Sequence, residues 1–418
     1  MFYRANAADA AAKRMVIWEI RAKKSHYTRI CVDLRLQLSD AIAPAWGCLS
    51  LSAWVRGGSI ATMRAALLAN TGWLDEELPL YKDLVVGLID EQIAVTQVLP
   101  ASEGERLASS FGRLETWPES PWRLWNRYQL GRLARRTDPD AIDVIHALDG
   151  RTWDAARDWS ERLGAPALLS AWSIHDVDTA RRLRRWLDPQ QTILAATTQP
   201  LQRLIQQQVD QRVTVAFTPV GVHVALDPES AGDERAMSLV VTGNGRLDGF
   251  VQPMFEGLGE VVERAPDTQI FVDTMGFDQR ELWRNVERAG LLSNVSFVPR
   301  RVGHREVLLR ADAFVQPQPL GRARGLLLQA MAHGRPIMAQ HDPALDFLLD
   351  GVTARVVRSL SAEAWRDRLL HWVSHPEERR QLGESARQWV AEHRLASTFV
   401  GGVLELYRRM AGQSLPFR

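Results

Sequence analysis

The sequence predicts an α/β protein made of two doubly wound domains. From Arg64 onward, short apolar runs alternate with amphipathic stretches of helical period, the pattern of a parallel sheet covered on both faces. That rhythm pauses at 219–236, PVGVHVALDPESAGDERA, where turn formers and acidic residues collect, and then starts again. A chain of 418 residues exceeds one ordinary core and suits two domains of about 150–200 residues.

The elements follow in order. A buried strand is expected at 65–69, then a loop over 70–78 and a helix over 79–90, with Pro79 in its first turn where a missing N–H is harmless. A strand at 94–99 leads into 101–121, polar and proline-bearing, expected as a long loop. A helix over 122–136, a strand at 143–146, a helix over 153–163 and strands at 166–171, 193–196 and 213–217 complete the first half. In the second half strands are expected at 238–242, 269–273, 295–298, 313–316, 336–339 and 354–357. Met254, Phe255, Leu258, Val261 and Val262 share one helical face. Further helices are expected near 279–289, 303–310, 325–333 and 343–349, and three more at 361–373, 376–393 and 395–410. No internal repeat is visible. Two such units place a ligand in the crevice at the carboxyl ends of their strands.

Composition narrows the function classes. The chain is 46% apolar and 24% charged with a net charge of +1, which argues against a dedicated nucleic-acid binder. No uninterrupted apolar run reaches 18 residues, and the opening MFYRANAADAAAKR lacks the apolar stretch of a signal peptide. Cys31 and Cys48 make neither a disulfide framework nor a metal site. The expected compartment is the cytoplasm. Both cysteines and three of the four lysines precede Met63, and only Lys82 follows it. Residues 1–62 also lack a sustained period, so they are expected to be an upstream extension or a disordered tail, with translation starting at Met63.

The stretch ADAFVQPQPLGRARGLLLQAMAHGRPIMA (311–339) carries a long match in Gln329-Ala330-Met331-Ala332-His333-Gly334-Arg335-Pro336. It resembles the donor domain of family 4 glycosyltransferases, whose hallmark is a strand, a Pro-Ser turn, a Glu-x7-Glu pair and then Glu-Ala-Met-Ala-x-Gly-x-Pro. DFLLDGVTARVV (346–357) resembles the run that follows in the family, with Asp346 at a glutamate position. IDVIHALDG (142–150) and PVGVHV (219–224) resemble an acceptor-side stretch and a hinge. The resemblance implies a GT-B fold, two Rossmann-like domains facing each other across a cleft. Its expected boundaries are 63–218 for the acceptor domain, 219–236 for the linker, 237–394 for the donor domain and 395–418 for a closing helix and tail.

The departures from the family pattern bear on activity. Aligned on the motif, the glutamate that contacts the transferred sugar falls on Gly321, and the one that contacts the ribose falls on Gln329. Gln329 still offers a donor and an acceptor. The arginine and lysine that grip the diphosphate fall on Asn244 and Asp248. A slip of a residue or two gives the arginine role to Arg246, and no lysine exists after Lys82. A departing diphosphate gathers negative charge, so fixed cations and N–H groups aimed at it usually supply the largest catalytic contribution. Gly321-Arg322-Ala323-Arg324-Gly325 opens directly onto the helix over 325–333, a ready anion site. Arg322 and Arg324, with Arg246, are the candidates to hold a phosphate; the alternative is a solvated loop.

On the acceptor side the resemblance points to His146 as the group that orients or deprotonates a hydroxyl, against the alternative of a buried, hydrogen-bonded histidine. Asp149 on the same loop is a candidate for a sugar hydroxyl. Trp122, Trp125 and Tyr128 interleave with Arg123, Arg127, Arg132, Arg135 and Arg136, which suits either a packed helix with a solvated basic side or peripheral contact with an anionic membrane. The expected function is a retaining glycosyltransferase taking a nucleotide-diphosphate sugar, with a glycan or lipid-linked acceptor and no metal or other cofactor. The alternative is a non-catalytic relative that binds a sugar, a nucleotide or a partner protein. A pyridoxal-dependent phosphorylase of the same fold needs a cleft lysine, which Lys82 on an early helix does not supply.

Overall fold

The computed structural model describes residues 63–107, 112–224, 237–243, 249–273, 279–298 and 304–412. The expectations for 1–62 and for most of the linker, 225–236, lie outside these residues. In the first half, strands β1 (Arg64–Leu68), β4 (Val144–Ala147) and β5 (Ala167–Ala171) form the centre of a parallel sheet. It is extended on one side by β2 (Ala94–Pro100) and β3 (Arg113–Trp117), and on the other by β6 (Thr192–Ala196) and β7 (Thr214–Phe217). The order is β3-β2-β1-β4-β5-β6-β7. In the second half β8 (Ser238–Val241), β9 (Gln269–Asp273) and β11 (Ala313–Gln316) are central, joined by β10 (Val295–Val298), β12 (Ile337–Gln340) and β13 (Ala354–Val357). This sheet is also parallel, in the order β10-β9-β8-β11-β12-β13. In each sheet the chain order reverses beside the first strand, between β1 and β4 and between β8 and β11. These are the switch points at which doubly wound sheets open a crevice.

Most elements form where the apolar pattern places them, because most of their strands are buried on both faces. Helices at Ile174–Leu183 and Gln199–Gln206, between strands of the first half, were not expected, and three segments differ from what was. The first helix, α1, runs from Thr71 to Asp90 rather than starting at Pro79. Asn70 caps it, its side-chain oxygen accepting from Trp73 N at 3.0 Å. The helix breaks at Glu77 (φ −120°, ψ 22°), where Pro79 removes an N–H and crowds the preceding turn. The stretch 101–121 is not one loop: it holds α2 (Ala101–Leu107) and the edge strand β3. The helix expected over 343–349 is absent; turns and bends occupy that segment.

Two further helices matter for the site. The short helix α10 (Gly325–Ala332) is buried along nearly its whole length, Gln329 alone being half-buried. The last helix, α13 (Ala396–Met410), returns to the first half and packs on α1. A continuous apolar core therefore joins Trp73, Leu80 and Leu84 of α1 to Leu326 and Leu327 of α10 and to Val403 and Tyr407 of α13. Each such leucine withdrawn from water contributes about 1.5–3 kcal/mol. Among the described residues no helix is long and apolar enough to cross a membrane.

Polar contacts hold the halves together as well. Arg394 reaches the Asp346 carboxylate and Thr197 O (3.1 Å), and lies over the rings of Phe217, Phe347 and Trp389 at 5.7–5.8 Å. Asp346 also accepts from Gln199 N at 2.8 Å. Its position in the family-like run thus serves a clasp between the halves.

Candidate functional site

The crevice is built from loops at strand carboxyl ends. From β11 the chain turns through Gly321, whose φ of +58° is a conformation that glycine adopts without a side-chain clash. Gly321 O accepts from Ile174 N at 2.8 Å and Ala323 N donates to Trp172 O at 3.0 Å, so the loop pairs antiparallel with the loop after β5. Gly321 N donates to Asp342 at 2.8 Å. This backbone pairing fixes the two halves against each other immediately beside the candidate anion site.

The start of α10 is occupied by the protein's own carboxylate. The break in α1 drives Glu77 across the interface, where both of its oxygens accept from Gly325 N at 3.0 and 3.2 Å. Glu77 is fully buried, and desolvation pushes its pKa up to about 7 against the opposing pull of Arg305 and Arg322. A methyl group at position 325 would overlap this carboxylate and Leu80, so glycine is needed there for close approach.

Three arginines converge on the same spot. Arg322 Nη1 lies 3.3 Å from Glu76, and Arg324, almost wholly buried, lies 3.9 Å from Glu76 and 3.7 Å from Asp273. Arg305 donates to Gln329 Oε1 at 2.8 Å and to the backbone carbonyl of Glu76. Several buried polar atoms nearby have no hydrogen-bond partner among the described residues: Arg322 Nε, Arg324 Nη1, Asp273 Oδ1 and both amide atoms of Gln316.

A cavity of about 1130 Å³ opens beside this cluster, lined on one side by Leu320 and Arg322 and on the other by residues of the first half. Asp149, Trp172, Ser173 and His175 lie on its wall together with several arginines. Asp149 accepts from Arg151 N at 2.8 Å and from the Asn70 side chain, which in turn caps α1. Burial raises its pKa to about 6.

The predicted site residues divide accordingly. Arg322 and Arg324 stand just before α10, after the turn that Gly321 shapes, and Gln329, one turn into the helix, is linked to them through Arg305 and Glu76. The solvated-loop alternative for the two arginines is not what the structure has. Arg246, with Asn244 and Asp248, lies outside the described residues. Asp149 lines the cavity. His146 does not. It is 1% exposed, and its ring nitrogens pair with Tyr407 Oη and Ser170 Oγ, each at 2.8 Å. Desolvation depresses its pKa to about 3, so it remains neutral and tied to α13. The expectation that it faces an acceptor is corrected: Tyr407, delivered by the returning helix, fills the space in front of it. Sequence reasoning missed Arg305, Glu76 and Glu77. The only signal available for the last two was a paired glutamate ahead of Pro79.

The helix α3 (Arg123–Ala134) buries only Leu130 and Ala134, leaving Trp122, Trp125 and Tyr128 exposed. The packed-face alternative for these aromatics therefore fails.

No family model and no curated relative matches the sequence. Solved structures do match. A glycosyltransferase from Rickettsia africae aligns with a TM-score of 0.67 at 11% identity, over 85% of this chain and all of that one. HepE of Anabaena in complex with UDP-glucose aligns with a TM-score of 0.68 at 13% identity, over 83% of this chain and 100% of that one. The fold is GT-B. Sucrose-phosphate synthase of Thermosynechococcus elongatus gives 0.66 at 15% identity, covering 84% of this chain and all of its own. At such identities the likeness establishes the GT-B architecture, and the site has to be argued from this chain's own residues.

Proposed function

We propose that the chain is a glycosyltransferase that takes a nucleotide-diphosphate sugar at the start of α10 and transfers the sugar to a glycan or lipid-linked acceptor. The observation that carries this reading is the convergence of Arg305, Arg322 and Arg324 on Glu76, beside the Glu77 carboxylate that accepts from the first N–H of α10, inside the crevice between the two sheets. Glu76 and Glu77 stand in this arrangement for anionic oxygens, and a diphosphate would take their place. The arginines and the helix N-terminus would then stabilise the charge that develops on the leaving diphosphate. Arg246 is proposed to join them.

Gln329 is proposed to meet the ribose. Asp149, in the cavity wall, is proposed to meet an acceptor hydroxyl once it gives up part of its hold on Asn70, and the exposed Trp122, Trp125 and Tyr128 among arginines supply a surface suited to peripheral membrane contact. Retention, family 4 membership and a cytoplasmic setting rest on the resemblance and on composition. The binding of UDP and UDP-glucose by the HepE structures fits the donor class proposed here.

A second reading, a non-catalytic GT-B protein, is favoured by one observation: the anion site is filled by the chain's own buried Glu77, with the loop pairing of 321–323 beside it. Thermal unfolding with UDP, GDP, ADP and their sugar conjugates separates the two. A ligand at 100 times its dissociation constant stabilises by about 2.7 kcal/mol. A shift with one nucleotide, lost in Arg324→Ala, together with slow hydrolysis of its sugar conjugate, supports the transferase. No shift with any nucleotide supports the non-catalytic reading.

A further inference from the structure

We infer that the cavity of about 1130 Å³ beside the donor cluster takes an acid-bearing saccharide. Its role as acceptor rests on the transferase reading; the site itself rests on the cavity lining. Trp73 and Trp172 line the cavity, are nearly fully buried and carry indole N–H groups with no acceptor among the described residues. Arg322, also in the lining, has a buried Nε in the same condition. These nitrogens are sealed from water-sized molecules, so they lie behind the wall, and the charged groups that reach the cavity decide its guest.

Charge points the same way. Arg123 and Arg182 share Asp154, at 3.4 and 2.9 Å, and Arg181 pairs with Asp178 at 3.1 Å. Arg151 and Arg184 also line the cavity, are exposed, and make no ion pair among the described residues. Six arginines share the wall with four carboxylates, of which Glu76 pairs with Arg322 and Asp178 with Arg181. Asp149 is turned toward Asn70 and Arg151 N, while Asp176 accepts from Trp172 N and Ser173 N at 2.8 and 2.9 Å. The guest therefore meets an excess of guanidinium groups, the partners that recognise carboxylate, phosphate or sulfate. A volume of this size exceeds what a small ligand fills, as an oligosaccharide requires.

The test is isothermal titration of the full chain with an oligogalacturonide and with a malto-oligosaccharide of equal length. The acidic chain is expected to bind and the neutral one to bind at least tenfold more weakly, with affinity falling as salt rises. Arg151→Ala and Arg184→Ala should each weaken the acidic ligand about tenfold, while Arg212→Ala, on an exposed loop, leaves it unchanged. Equal affinity for both saccharides, no affinity for either, or undiminished binding when Arg151→Ala and Arg184→Ala are combined overturns the inference. Sedimentation with phosphatidylglycerol vesicles tests a lipid source of the charge: vesicle binding without oligogalacturonide binding also overturns it. UDP titrated into the same samples keeps the two readings apart. Lost UDP binding with intact oligogalacturonide binding removes the donor reading alone, and the reverse removes only this inference.

Discussion

The arginines at the start of α10 and those of the neighbouring cavity wall lie in one crevice but are held differently. Arg305 and Arg324 are committed to Glu76, Gln329 and Asp273, and a buried carboxylate already caps the helix beside them. Arg151 and Arg184 stand exposed on the cavity wall without ion pairs among the described residues. The first group is preorganised around an anion that the chain itself supplies. The second awaits one. A cation fixed by neighbours needs no reorganisation when a phosphate arrives, but the phosphate must displace a resident, whereas a free cation binds without competition and with less geometric discrimination.

That contrast is sharpened first by stability. Arg394, a buried cation clasped between the halves, is expected to cost about 3–5 kcal/mol when changed to Ala, because Asp346 loses its counter-charge, keeping only Gln199 N, and three ring contacts are lost. Urea unfolding reads this directly, and a loss below about 1 kcal/mol would break the link between commitment and stability.

Next comes pH. Glu77 has a folded pKa near 7 against an ordinary glutamate value of 4.5, so the folded state holds its proton more tightly. Its contribution is most favourable below about pH 4.5 and is lost as pH rises through about 7, on the order of 3–4 kcal/mol. His146, depressed to about 3, acts oppositely: its contribution is present above about 6.5 and fades as pH falls. The difference between wild type and Glu77→Gln isolates the glutamate. The variant should gain relative stability from pH 5 to pH 8, and a constant difference would contradict the placement of Glu77.

Smaller effects follow. Gly325→Ala should cost about 1–3 kcal/mol by overpacking against Glu77 and Leu80, measured by the same unfolding curves. Tyr407→Phe removes one partner of His146 and should cost about 1 kcal/mol while leaving nucleotide binding unchanged. Arg184→Ala is expected to change stability by no more than about 0.5 kcal/mol, the counterpart of the Arg394 result at the free end of the comparison.

The elements most legible in the sequence were those whose burial follows a period. β9, β10, β11 and β13 lie at the predicted residues because each is a short apolar run between turns. β3 was missed because RLETW is an edge strand, largely polar and only partly buried. The first turns of α1 were missed because Pro79 marks a helix start in sequence but here follows a break within a longer helix. At the site, the glycine-bounded arginines were legible because they precede a helix. Glu77 was not, since it meets Gly325 across 248 positions of chain and no local pattern encodes that contact. His146 was placed by resemblance in the cleft, and only the return of α13 shows that Tyr407 covers it.

If Glu77 holds a site shaped for a nucleotide diphosphate, its carboxylate and the nucleotide compete for the same N–H and the same arginines. Calorimetric titration of whichever of UDP, GDP or ADP shifts the melting temperature, on wild type and Glu77→Gln at pH 6 and pH 8, measures that competition directly. One unit above a pKa of about 7 the ionised glutamate outnumbers the neutral form about tenfold. The nucleotide should therefore bind the variant about tenfold more tightly than wild type at pH 8 and equally at pH 6. Equal affinities at both pH values, or no binding to either protein, would contradict it.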